Sequence, residues 1–263
     1  MGEIAPQRVV ILGAGRVATH LLPALVRAGY RVEQVWSRTE SSARLLAEPL
    51  DIPYTEDLDA IVSDADVYIV CVADRALPLV AEKIVSVAGK NPLYLHTAGS
   101  IGMELWQRCG ALRFGILYPL QTFSKERAVD MRGVSLFVEA SDEKVMTCVE
   151  SLACKLSEKV FHADSKCRAR LHIAAVFACN FTNAMYGVAH RLLAEDDIPF
   201  DVLLPLIDET ALKVHSLTPH EAQTGPAVRE DEVVMNNHMQ ALEKNPELRD
   251  IYARISNYIS GDK

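Results

Sequence analysis

The segment Val9-Val10-Ile11-Leu12-Gly13-Ala14-Gly15-Arg16-Val17-Ala18 constrains the fold of this chain more than any other. A β-rich apolar run passes directly into G-x-G-x-x-A. An amphipathic helix follows from about Arg16 to Ala28, with Val17, Leu21, Leu25 and Val26 on one face and Gly29 as its stop. Gly13 permits a tight turn, Gly15 lets the backbone approach a pyrophosphate, and Ala18 allows close packing of helix on strand. The helix start at Ala14, Arg16 and Val17 offers N–H groups and a positive dipole to phosphate. In this context the pattern predicts a dinucleotide site at the head of a parallel sheet.

The rest of the first half repeats the alternation. Strand signals at Arg31–Trp36, near Tyr54, and at Val67–Val72, Leu93–His96, Phe114–Leu117, Val134–Glu139 and Val160–His162 alternate with helical ones at Glu40–Ala47, Asp57–Val62, Leu77–Val87, Glu104–Arg108 and Glu143–Leu156. Such a pattern leads to an α/β, Rossmann-type, mostly parallel sheet with helices on both faces. Beyond Ser165 the strand signals stop. Ser165 can cap a helix reaching about Glu195, ~46 Å long at ~1.5 Å per residue. Val202–Leu217, Glu230–Leu242 and Glu247–Ile259 read as further helices. The expected organisation is a dinucleotide-binding domain over residues 1–164 and an all-helical domain over 165–263 that closes on substrate and dimerises.

Composition narrows the partners. With 49% hydrophobic and 24% charged residues among 263, the chain is neither disordered nor fibrous, and its formal net charge of −8 disfavours nucleic acid. The six cysteines are scattered without a C-x-x-C pair and read as reduced thiols, which points to the cytoplasm; the first residues lack the basic region of a secretory signal. Leu171–Ala189 holds 19 residues without Asp, Glu, Lys or Arg. His172, Asn180, Thr182 and Asn183 make it costly in lipid, so it reads as a helix buried in protein, and a homodimer built on the C-terminal half would hide it.

The tip of the second strand reads Val35-Trp36-Ser37-Arg38-Thr39. An NAD site places an acid there for the ribose hydroxyls. Here Arg38 can instead form a charge-assisted bond to a 2′-phosphate, with Ser37 and Thr39 adding neutral ones, so NADP (NADPH) is the expected cofactor.

These features, with Val70-Cys71-Val72-Ala73 after the fourth strand, resemble the superfamily of pyrroline-5-carboxylate reductases, 6-phosphogluconate-type dehydrogenases and deazaflavin-dependent NADP reductases. His96-Thr97-Ala98-Gly99-Ser100, Tyr118-Pro119-Leu120-Gln121-Thr122-Phe123 and Thr224-Gly225-Pro226-Ala227-Val228-Arg229 are similar to one uncharacterised branch of it, Rossmann-like NADP oxidoreductases with a C-terminal domain of unknown function. The resemblance implies NADP binding, with Val72 and Ala73 beside the cofactor. That branch usually carries His where this chain has Tyr118. The Lys-x-x-x-Asn pair of hydroxyacid dehydrogenases is absent: Lys166 is followed four residues on by Arg170, and His172 by Val176. The resemblance therefore implies the cofactor and not the substrate.

Hydride transfer asks of a protein mainly positioning and a proton donor. His96, at the carboxyl end of a strand and followed by small residues, is one candidate acid. On an ideal long helix His172, Cys179, Asn183 and His190 fall within about 20° of one line, with Asn180 about 80° away. Of this stripe His172, Asn180 and Asn183 are the expected substrate-facing residues. His162, Cys167 and His172 give no closed zinc spacing, so no metal is expected. Cys71 and Cys179, in apolar runs, read as buried. The expected function is hydride transfer between NADPH and a small carbonyl or imine; a non-catalytic NADP(H)-binding sensor or scaffold is the alternative.

Overall fold

A computed structural model describes residues 7–89 and 91–261. The first half follows the alternation as β1 (Arg8–Leu12), α1 (Arg16–Arg27), β2 (Arg31–Trp36), α2 (Glu40–Ala47), β3 (Tyr54–Thr55), β4 (Val67–Val70), α3 (Leu77–Val87), β5 (Leu93–His96), α4 (Glu104–Arg108), β6 (Phe114–Leu120), β7 (Ser135–Ala140), α5 (Glu143–Leu156) and β8 (Lys159–His162). The strands form one sheet in the order β3-β2-β1-β4-β5-β6-β7-β8. Every neighbouring pair is parallel except β6 and β7, which run antiparallel from Gly115↔Ala140 to Leu120↔Ser135.

Strand alternation divides the core between the two faces. Val9, Ile11, Val67, Ile69, Leu93 and Leu95 join Leu21 and Leu25 of α1 and Val145, Val149 and Leu152 of α5. The alternate residues, Val10, Leu12, Tyr68, Val70 and Tyr94, join Leu77, Val80 and Ile84 of α3 and Trp106 of α4. Burying each such side chain is worth ~1.5–3 kcal/mol, so continuous apolar strands are stable only where helices cover both sides. Asp142 caps α5 by accepting from the N–H groups of Lys144 at 2.9 Å and Val145 at 3.0 Å. These bonds hold its carboxyl below the usual range.

Several local expectations shift. The Asp57–Val62 segment is only a 3₁₀ turn, Leu58–Ala60. β4 ends at Val70, although the Cys71 N–H still donates to the Leu12 carbonyl at 2.7 Å. Past β8 the long helix is broken into α6 (Ser165–Ala175), a π-helical turn (Val176–Phe181) and α7 (Thr182–Ala194). Its N-cap is Asp164 rather than Ser165; the Asp164 carboxylate accepts the Cys167 N–H at 2.6 Å. A fixed 100° step does not carry through a π turn, so one polar line from His172 to His190 is not drawn.

The chain divides into two compact units between Cys179 and Asn180, one helix beyond the expected change at residue 164. α6 stays with the sheet because Arg168 is buried among its loops and strands, as described below. The second unit holds α7, a 3₁₀ turn at Phe200–Leu203, α8 (Leu204–Lys213), α9 (Pro219–Ala222), α10 (Glu232–Ala241) and α11 (Pro246–Gly261). Among the described residues, none within 171–189 is buried in this single chain, contrary to the expectation of a buried helix, and no helix is long and apolar enough to cross a membrane. Cys179 is exposed, whereas Cys71 is buried and its thiol pushed up to about 12 by desolvation.

Candidate active site

The glycine turn is forced by its neighbours. Gly13 has φ +121°, and a Cβ there would lie 2.5 Å from the Cys71 carbonyl oxygen and 3.2 Å from Val72 Cγ1. Its N–H donates to the Trp36 carbonyl at 2.7 Å, so the turn is pinned between the ends of β2 and β4. Gly15, exposed, is the N-cap of α1; no side chain caps the helix and no acid stands in its first turn. The neighbouring Ala14 is buried, Arg16 exposed and Val17 half-buried. An open helix start with positive dipole, unshielded by any Cβ at Gly15, fits a pyrophosphate. Val72 reaches the turn through Cγ1, and Ala73 follows it in the chain.

At the tip of β2, Ser37 is buried while Arg38 and Thr39 are exposed; Thr39 stands at the N-cap position of α2 without a side-chain cap bond, its hydroxyl instead donating to Ser42 Oγ at 2.8 Å. One acid reaches this corner from elsewhere in the chain. Glu56, directly after β3, accepts the Glu40 N–H at 3.0 Å.

A second cluster lies at the carboxyl ends of β5 and β6. Tyr118 Oη and His172 Nδ1 are 3.1 Å apart, with the rings edge to face at 6.2 Å. Gly99 lies beneath them: a Cβ there would stand 2.8 Å from Tyr118 Cζ and 2.9 Å from His172 Nδ1. Desolvation is the main cause that raises the Tyr118 pKa; Asp74 raises it further, and the Arg168 charge opposes both. The phenol is therefore protonated at neutral pH. Beside it the Ser100 hydroxyl donates to Asp74 Oδ2.

Behind the pair sits the buried guanidinium of Arg168, whose side chain is 1% exposed. It is ion-paired with Glu139 through Nη1, and its Nη2 donates to the Ile101 carbonyl at 2.7 Å and to Ser165 Oγ at 3.2 Å. Glu139 also accepts the Ser165 N–H at 3.0 Å and hydroxyl at 2.8 Å. One salt-bridged knot thus ties α6 to β7 and to the loop after Gly99.

His96 has a different place from the one its position in the sequence implies. It is fully buried, stacked on Trp106 with ring centroids 6.0 Å apart, and its Nδ1 accepts the Ala98 N–H at 3.2 Å. Burial, reinforced by the Arg168 charge, pulls its pKa down to about 3; the Gly102 carbonyl favours the proton without making a hydrogen bond of normal geometry to Nε2. The ring is neutral under ordinary conditions. Asn180 and Asn183 are exposed and belong to the second unit, whereas His172 is the one member of the proposed stripe that joins Tyr118. Tyr118, Gly99 and Arg168 were not among the expected site residues, because their partners lie tens of residues away.

Residues 8–95 match the family model described as NADP oxidoreductase coenzyme F420-dependent, and residues 134–259 match that of a domain of unknown function, DUF2520. A presumed NADP oxidoreductase from Bacteroides fragilis is 46% identical, with a TM-score of 0.93 over 98% of this chain and 99% of that one. An imine reductase from Myxococcus stipitatus, in complex with NADP+, has a TM-score of 0.67 at 16% identity over 97% of this chain and 92% of that one, a likeness of fold. A human glucose-fructose oxidoreductase domain-containing protein 2 is 39% identical over 66 residues; that stretch is 25% of this chain and spans only 17% of the relative's length.

Proposed function

This chain belongs to the family of the Bacteroides fragilis NADP oxidoreductase, with its residues 8–95 matching the NADP oxidoreductase coenzyme F420-dependent model and 134–259 that of DUF2520, and on that premise we propose that it reduces a small carbonyl or imine with NADPH. Gly13, Ala14, Gly15, Arg16 and Val17 hold the pyrophosphate, Ser37, Arg38 and Thr39 the adenosine end, and Val72 and Ala73 flank the turn. When bound, NADPH supplies the hydride.

The observation that carries the reading is the Tyr118–His172 pair held over Gly99. A desolvated phenol beside an imidazole is a proton donor with a means of recovering its proton: Tyr118 gives its proton to the oxygen or nitrogen gaining negative charge, and His172 returns one through Nδ1. Buried and neutral, His96 supports this loop through Ala98. The free thiols favour the cytoplasm. The apolar residues exposed along α6, the π turn and α7, among them Ile173, Phe177 and Leu192, support a homodimer.

A screen of aldehydes, imines and keto acids following NADPH absorbance tests the reading. With a substrate in hand, Tyr118→Phe and His172→Ala should each lower kcat by ~10²- to 10⁴-fold with NADPH affinity nearly unchanged. Full activity in both removes the pair from the reaction. NADPH binding without turnover of any such substrate selects the sensor instead.

A further inference from the structure

The adenosine corner carries an acid that chain order hides. Pairing of β2 with β3 sets Trp36 opposite Thr55, and the Ser37 N–H donates to the Thr55 carbonyl at 3.2 Å. Glu56 therefore emerges beside the Ser37-Arg38-Thr39 tip. Its backbone is fixed there, since its carbonyl accepts the Trp36 indole N–H at 3.0 Å. Its exposed carboxylate then turns onto the first turn of the eight-residue α2, where Oε2 accepts the Glu40 N–H at 3.0 Å. A negative group thus already holds a helix-start N–H adjoining the three residues assigned to the 2′-phosphate.

We propose that Glu56 sets the degree of cofactor discrimination: its charge and its hold on the Glu40 N–H oppose the 2′-phosphate, so the preference for NADPH over NADH is smaller than Ser37, Arg38 and Thr39 would produce alone. The proposal rests on the reading that NADPH binds at this corner. NADH, with a neutral 2′-hydroxyl, meets no such opposition. Two like charges within several ångströms at a wet surface repel by an amount that corresponds to roughly five- to tenfold in affinity, and salt screens it.

Calorimetric titration of the full chain and of Glu56→Gln with NADPH and with NADH separates the possibilities. Glu56→Gln keeps an oxygen acceptor for the Glu40 N–H and removes only the charge. NADPH should bind the variant roughly five- to tenfold more tightly, NADH within about twofold of wild type, and the gain should largely vanish near ~1 M salt, where the Debye length is ~3 Å. Glu56→Ala, which also frees the N–H, should tighten NADPH at least as much. Weaker NADH binding by Glu56→Gln would overturn the proposal by making Glu56 an acceptor for the ribose hydroxyls. Unchanged affinity for both cofactors, or weaker NADPH binding by Glu56→Ala, would overturn it too, the latter by making Glu56 a structural support of the corner. If the wild-type chain bound no NADPH, the cofactor reading itself would fall, in an arm independent of the variants.

Discussion

Replacing Arg168 by Met removes the cation of a nearly buried ion pair. The side chains of Arg168 and Glu139 are 1% and 14% exposed, so the variant leaves a nearly buried carboxylate with only the Ser165 N–H and hydroxyl for company, and the Ile101 carbonyl loses its 2.7 Å donor. Removing one partner of a buried ion pair costs ~3–5 kcal/mol, mostly through the charge left behind. For a chain of this size ~1 kcal/mol lowers Tm by ~2–4 °C, so Arg168→Met should melt ~6–20 °C below wild type. The companion variant Arg168→Met/Glu139→Leu removes both charges and should recover much of that loss, since well-packed apolar pairs replace buried ion pairs at little net cost. Thermal melts of the two variants at neutral pH, followed by far-UV circular dichroism, make the comparison. A single variant within ~2 °C of wild type, or a double variant less stable than the single, would refute the view that this ion pair fastens α6 to the sheet.

Three further outcomes follow from the same structure. His96 titrates at about 3 when folded against an ordinary value of 6.5; the unfolded chain takes up the proton first, so this ring's contribution is fully present above pH 6.5 and is lost as pH falls toward 3, at ~1.4 kcal/mol per pH unit. His96→Asn should therefore show a shallower acid loss of stability than wild type between pH 6.5 and 4.5; equal slopes in urea titrations count against it. Gly99→Ala places a methyl 2.8 Å from Tyr118 Cζ, so it should cost ~1–3 kcal/mol in urea unfolding and part the Tyr118–His172 pair, and an unchanged unfolding midpoint contradicts that contact. Light scattering at micromolar concentration should return twice the chain mass; a monomer opposes the dimer.

Much of the fold is legible because local chemistry and global architecture agree. Val9–Leu12 and Val67–Val70 are continuous apolar runs that only a strand covered on both faces can bury, and Gly13 stands where φ +121° and the Cys71 carbonyl leave no room for a side chain. The antiparallel turn of β7 is not legible, since its residues alternate much as a parallel edge strand would. The π turn at Val176–Phe181 likewise has no composition that betrays it. In the site, His96 looks like a catalytic acid by type and position, and only the packing of Trp106 and Arg168 around it shows a neutral, enclosed ring. Tyr118 and His172 meet across 54 positions, and Glu56 reaches Glu40 across 16. Spacing rules work within a helix or strand, whereas these pairs are made by strand pairing and by the packing of α6 on the sheet unit.

The second unit keeps few apolar side chains out of water: Ala227 and Leu248 are buried, whereas α7, α8 and α10 bury none. Fixing one residue's backbone costs ~1–2 kcal/mol of entropy, and among the described residues this unit offsets it mainly with half-buried apolar side chains, so a further covering surface would add to its order. During synthesis the sheet unit emerges first with a complete core, and the helical unit would finish folding only when a second surface covers it. Amide exchange should then be slow through β1, β4 and β5 at any concentration, and in α7 and α8 should slow as protein concentration rises. Chain abundance would so govern how much of the protein is fully folded, and a lone protomer would be the form that proteases clear.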